Sequence, residues 1–143
     1  MQDLTKKALG YIMTKSWSEL VGDFHRKHGI LYDYDFSNPK VATLRSDLIE
    51  EEWHEFVDAV WDRDKVEVAD ALGDLLYVVI GTAHVYGIDI DRVFREIHRS
   101  NMTKVSDGGQ NEQIHKIRKG PEYSPPDLGF VMTGNDYERA TNG

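Results

Sequence analysis

The chain has 143 residues, enough for one domain with its own core and short for two. It contains no cysteine, which removes disulfides, thiolate metal sites and cysteine nucleophiles, and its net charge of −8 argues against the basic surface that nucleic-acid binding needs. No apolar run is expected to reach the roughly 20 residues of a membrane span, and the start "MQDLTKKALG" lacks the apolar core of a signal peptide. The expectation is one cytoplasmic domain over 1–143 that engages neither membrane nor nucleic acid.

The first helix is expected over 16–28, where "SWSELVGDFHRKH" puts Trp17, Leu20, Val21, Phe24 and His28 on one face. Ser16 reads as its N-cap and Gly29 as its stop. "GILYDYDFSNPK" is a loop rich in aromatics and acids. A second helix is expected over about 42–62, on the stripe Leu44, Leu48, Ile49, Phe56, Val57 and Val60. "DRDK" is a short polar connection, and a third helix follows over about 65–86, closed by Gly87. Asp89 can cap a fourth, which runs over about 90–103 through Ile90, Val93, Phe94 and Ile97. Beyond Val105, "SDGGQNEQ" is a turn, the extended residues of "HKIRKG" are candidates for a small hairpin, and the remainder is proline-punctuated. The pattern is an all-α bundle of four to five helices, with its core at about 16–105 and an irregular C-terminal extension at about 106–143. The short connection makes the second and third helices antiparallel.

Those two helices carry the chemistry. In "EEEWHEFVDAVWD", Glu51 and Glu55 are one turn apart, Glu52 stands three residues before Glu55, and Asp58 continues the side. The third helix places Glu67, Asp70 and Asp74 on one face. Asp74 falls among Leu72, Leu75, Leu76, Val78, Val79 and Ile80, where a buried carboxylate is very costly unless paired or bound to metal. Antiparallel packing turns the two acidic stripes toward each other, and like charges so close repel. Hard divalent cations between them remove the repulsion, because Mg²⁺ and Mn²⁺ prefer carboxylate oxygens and water. A solvated acidic face accounts for the second helix alone; the two stripes together favour a metal site. Such sites complete their shells with substrate phosphates, so phosphate chemistry is expected.

"EEWHE" followed by "EVAD" resembles the EExxE…ExxD signature of the MazG-like all-α nucleoside triphosphate pyrophosphohydrolases. The likeness continues through "GDLLYV", "GIDID", "HRSNMTK" and "KGPEYSPPDL", covers roughly residues 18–128, and is closest in kind to the single-domain MazG and dimeric dUTPase-like branch. In many relatives a glutamate precedes the aspartate of "GDLLYV" by three residues. Here that position is Ala71, so the strict ExxD is Glu67 and Asp70, with Asp70 substituting for the missing glutamate beside Asp74. The resemblance implies hydrolysis of a nucleoside triphosphate to the monophosphate and pyrophosphate, with dGTP, GTP or dUTP as candidate substrates. It implies that Glu51, Glu52, Glu55, Asp70, Asp74 and, less centrally, Glu67 hold roughly two to three Mg²⁺ (or Mn²⁺) ions. Glu52 is the first choice of base, with Glu55 close behind. Asn101 and Lys104 are carried over as substrate-binding residues; Arg99 and Lys119, with Lys116 and Arg118, are further candidates for phosphate oxygens. A homodimer or homotetramer with a composite site is expected, partly because Trp53, Trp61 and Ile80 are expected to leave the bundle on several sides. Virus-encoded relatives of this size exist, which would place the chain in a host cytoplasm.

Three rivals stand beside this reading. Glu51-x-x-His54 and Glu112-x-x-His115 formally give the pair of Glu-x-x-His motifs found in di-iron carboxylate bundles. A non-catalytic helical module would use the acidic stripes for pairing alone. Within the superfamily, phosphoribosyl-ATP pyrophosphohydrolase is the alternative. Trp17, Phe24, Trp53 and Trp61 read as core or subunit interface, His25, His84 and His98 as structural, and Tyr32, Tyr34 and Phe36 as candidates for stacking on a base.

Overall fold

A computed structural model describes residues 2–106 and 116–133 and divides the chain into two compact units, 1–88 and 89–143. The first holds α1 (Gln2–Met13), α2 (Trp17–His28), α3 (Pro39–Asp62) and α4 (Lys65–Val85). The second holds α5 (Ile90–Asn101), the strands β1 (Val105–Ser106) and β2 (Ile117–Arg118), and α6 (Leu128–Met132). The all-α reading holds.

Local chemistry sets the helix ends. Ser16 and Glu19 form a reciprocal capping box at the start of α2, and Gly29 ends that helix in the left-handed region at φ 60°. α3 begins three residues before the expected start at 42, because the Asn38 side chain accepts from the Lys40 amide and Pro39 needs no amide partner at the first helical position. Asp64 caps α4 through the amides of Val66 and Glu67, and Asp89 caps α5 through Arg92. α1, absent from the sequence-based reading, is a mostly exposed helix at the start of the first unit. Of the hairpin candidate, Ile117–Arg118 form a strand, but the partner is Val105–Ser106: Val105 pairs with Arg118 and Ser106, expected in a turn, with Ile117, antiparallel.

α3 and α4 form the spine of the first unit, turned back on each other by Arg63 and Asp64 alone. Gly87, at φ 67°, admits the Tyr34 ring, whose nearest carbon would stand 2.8 Å from an added Cβ. The buried apolar residues are small: Val21, Val41, Ala59, Ala71, Ile80, Ala83 and Val85. Many large ones face outward, including Trp17, Leu44, Trp53 and Trp61, the last 81% exposed. Ile80 was expected outside and is buried one turn from Ala83; Leu72, Leu76 and Val79 take the outward position instead. One further expectation fails. α4 is long and apolar enough, by length and composition, to cross a membrane, because Asp70 and Asp74 interrupt its sequence without lowering its mean hydropathy far. In the structure that helix packs along α3 and α2.

Arg63 closes α3 with φ 58°, a conformation that costs a side-chain-bearing residue about 1–2 kcal/mol. Arg63→Gly relieves that strain against a smaller loss of chain entropy. A gain of about 0.5–1 kcal/mol is expected in denaturant unfolding.

Candidate metal centre

The turn at Arg63–Asp64 fixes which residues face each other. Glu52 and Asp74 lie eleven residues to either side of Arg63, and Glu55 and Asp70 follow at nearly matching distances. Glu52 is the acid that the fold desolvates: its Oε2 is buried with no hydrogen-bond partner. Burial first, then the charges of Asp74, Glu55, Glu51 and Asp70, push its carboxyl above the ordinary glutamate range. Four of the other five sequence-derived ligands are thus near enough for their charge to act on the Glu52 carboxyl.

Asp74, expected to be the buried acid, is exposed, as are its neighbours Leu72 and Leu76. Periodicity located it among apolar residues, but the covered side of α4 is the one facing α2 and α3. The sixth candidate, Glu67, lines an open cleft of about 410 Å³ with Glu55, Asp58, Asp62, Asp64 and Asp70, alongside Ala59 and Ala71. Asp62 and Asp64 were read as part of a polar connection. The signal that finds them is the antiparallel turn itself, since residues flanking it must stand side by side.

Among the described residues, no three acids or histidines converge to the spacing of a preformed cation site. The donor set nevertheless fits a hard divalent cation. All its atoms are carboxylate oxygens, and one is buried without a partner.

The substrate-binding candidates belong to the second unit. Arg99 spends its donors locally, on both carboxylate oxygens of Glu96, the Ser124 hydroxyl and the Pro125 carbonyl. Glu96 also accepts from the Asp127 amide, and with Arg99 beside it its carboxyl falls to about 2. Arg99 thus ties the proline-rich segment to α5. Asn101 ends α5, its carbonyl accepting from the Lys104 amide at 3.1 Å, and the Lys119 ammonium sits 4.9 Å from the centre of the Tyr123 ring. Lys116 and Arg118 flank or form β2. Glu112 and His115, the second half of the di-iron pattern, lie outside the described residues, and His54 is exposed.

Two further features of the first unit surround no acid of the seam. Loop residues from Leu31 to Asp35, with Ser37 and Asn38, line an open recess of about 490 Å³, where Asp33 is buried and accepts from Ser37 and Asn38. Phe36 stacks on Tyr86 with centroids 4.5 Å apart. His25 is buried, and desolvation with the nearby Arg45 and His84 holds it below the ordinary histidine range. His84 Nε2 meets the Ser18 hydroxyl at 3.0 Å and the Ser18 carbonyl at 2.9 Å.

With this geometry the relatives can be weighed. Residues 27–101 match the family model described as phosphoribosyl-ATP pyrophosphohydrolase, a span that includes every seam carboxylate and Asn101 but ends before Lys104 and Lys119. The class so defined is the MazG-like all-α pyrophosphohydrolases, hydrolases acting on phosphoric anhydrides. Within it, the chain belongs to the phosphoribosyl-ATP pyrophosphohydrolase family. It is also similar to the uncharacterized protein L479 of Acanthamoeba polyphaga mimivirus, with 43% identity over 79 residues. That alignment covers 51% of this chain and 32% of the viral protein, so the chain spans about a third of that relative's length.

The raised Glu52 carboxyl has a defined sign. The folded state holds this proton more tightly than the unfolded state, so the charged group costs stability at neutral pH. The cost is relieved as pH falls through the raised value toward about 4.5, the ordinary glutamate value. In metal-free protein Glu52→Gln is expected to raise Tm by a few degrees at pH 7 and to have little effect near pH 4.5. Adding Mn²⁺ is expected to raise Tm of the wild type and to leave the variant nearly unmoved, as differential scanning fluorimetry can check.

Proposed function

We propose that the chain hydrolyses a nucleoside triphosphate to the monophosphate and pyrophosphate with Mg²⁺ or Mn²⁺ held on the α3–α4 seam. The observation that carries this reading is the buried, unpartnered Glu52 Oε2 among four other carboxylates. Glu51, Glu52, Glu55, Asp70 and Asp74 would hold the cations, with Glu67 at the flank. When bound, the cations supply neutralisation of the triphosphate and a water of lowered pKa. Glu52 is the first choice of base, because burial and the neighbouring carboxylates raise its affinity for a proton above that of an ordinary glutamate. It takes the proton of the attacking water as the new oxygen–phosphorus bond forms, and the bond bridging the α and β phosphates breaks to release pyrophosphate. Glu55, one turn away, is the second candidate for this role. Asn101, Lys104 and Lys119 are proposed to bind substrate, with Arg99 contributing through the segment it anchors.

dGTP, GTP and dUTP are the favoured substrates. The family match gives a specific reason to include phosphoribosyl-ATP as a second reading. Pyrophosphate release should be measured over all ribo- and deoxynucleoside triphosphates and phosphoribosyl-ATP, with Mg²⁺ and with Mn²⁺. At least one substrate is expected to turn over, with a loss of roughly 100-fold or more in Glu52→Gln. Unchanged turnover in that variant would reject the assignment.

The protein is further proposed to be a homodimer or homotetramer in a cytoplasm, that of the host if the gene is viral. The support is the unit's small-residue core beside exposed Trp53, Trp61, Leu72, Leu76 and Val79 on α3 and α4. Light scattering after size exclusion at micromolar concentration is expected to give at least twice the 16.4 kDa chain mass. A monomeric mass would contradict it.

A further inference from the structure

Arg45 is a buried cation with no acid. It lies on α3 at 7% exposure, and no carboxylate of the described residues pairs with it. Its guanidinium reaches across to α4 instead. Nε donates to the Thr82 hydroxyl at 3.0 Å, and Nη2 donates to the Val78 carbonyl at 3.0 Å. The Thr82 hydroxyl donates in turn to the same Val78 carbonyl at 2.7 Å, so three groups lock into one small network. The approach depends on Gly81: a Cβ there would stand 3.0 Å from Arg45 Nη2 and 2.9 Å from His25 Nε2.

This network shares a helical face with the seam. Arg45 precedes Glu52 by two turns on α3, and Val78 and Thr82 follow Asp74 by one and two turns on α4. A slip of α4 along α3 would strip a buried guanidinium of two acceptors at once, which is expensive because the charge has no other partner. The two-residue turn at one end and the arginine fork at the other therefore bracket the acids between them.

We propose that Arg45 is a positioning residue: its fork on Val78 and Thr82 fixes the α3–α4 register at which Glu52 faces Asp74. The inference rests on the proposed cation-holding role of the seam for its functional meaning, and on the helix register alone for its structural meaning.

The full chain is compared as wild type, Arg45→Met, Thr82→Val, Thr82→Ser and Val41→Ala. The last removes buried apolar volume one turn from Arg45 without touching the fork. Two readouts are taken: Mn²⁺ affinity by paramagnetic-resonance titration, and, without metal, the methyl NOEs of the buried Ala59 and Ala71 to the facing helix. Arg45→Met is expected to lower Mn²⁺ affinity by about 10–100-fold and to alter the NOE pattern. Thr82→Val should do the same more weakly, and Thr82→Ser, which keeps the hydroxyl, should retain both. Val41→Ala should lose Tm with affinity and NOEs retained. An unaltered NOE pattern in both Arg45→Met and Thr82→Val overturns the proposal, as does an equal affinity loss in Val41→Ala. Should Arg45→Met fail to fold, the two Thr82 variants decide. If wild-type protein binds no Mn²⁺, the cation reading fails, while the NOE pattern still decides the register.

Discussion

The constraint on which the site depends is a carboxylate oxygen that folding takes from water without giving it a partner. Glu52 Oε2 is desolvated on α3 while Asp74, Glu55, Glu51 and Asp70 press the same sign of charge on it. A fold that only needed helix pairing would gain by replacing that side chain with an apolar one. The arrangement makes physical sense when positive charge occupies the seam during function, and oxygen donors select a hard divalent ion for that charge.

Around this strained centre the rest of the first unit is conservative. Side-chain caps end or begin every helix from α2 to α4, and a two-residue turn sets α3 against α4. Small residues at Ala59 and Ala71 allow close approach beside the acids, while Arg45 and Gly81 do so at the other end. Stability is thus supplied at the two ends of the seam. Large apolar side chains left outside, above all Trp53 and Trp61, are the feature that a single copy of the chain does not account for.

Much of this was legible in the sequence, for local reasons. Ser16, Gly29 and Asp89 act within a few residues of themselves, so their capping roles can be read from the letters. The carboxylate seam was legible because a helix repeats every turn and a short connection forces antiparallel packing. Asp74 and Ile80 were misplaced because periodicity gives a stripe but not which neighbour covers it. α1 escaped notice because its apolar residues pack little, and α3 began early because Asn38 and Pro39 were read as loop rather than as cap and first turn. Nothing in the sequence singles out Arg45. Its meaning lies in the backbone carbonyl of Val78 and the hydroxyl of Thr82, more than thirty residues away.

The central claim is that divalent ions lie between α3 and α4, gripped by acids that would otherwise repel. Crystals soaked with Mn²⁺ and a non-hydrolysable nucleoside triphosphate test it most directly, through anomalous scattering from manganese. The account predicts anomalous peaks within ligand distance of Glu52 and its neighbours on the two helices. Density for the nucleotide with no such peak would contradict it.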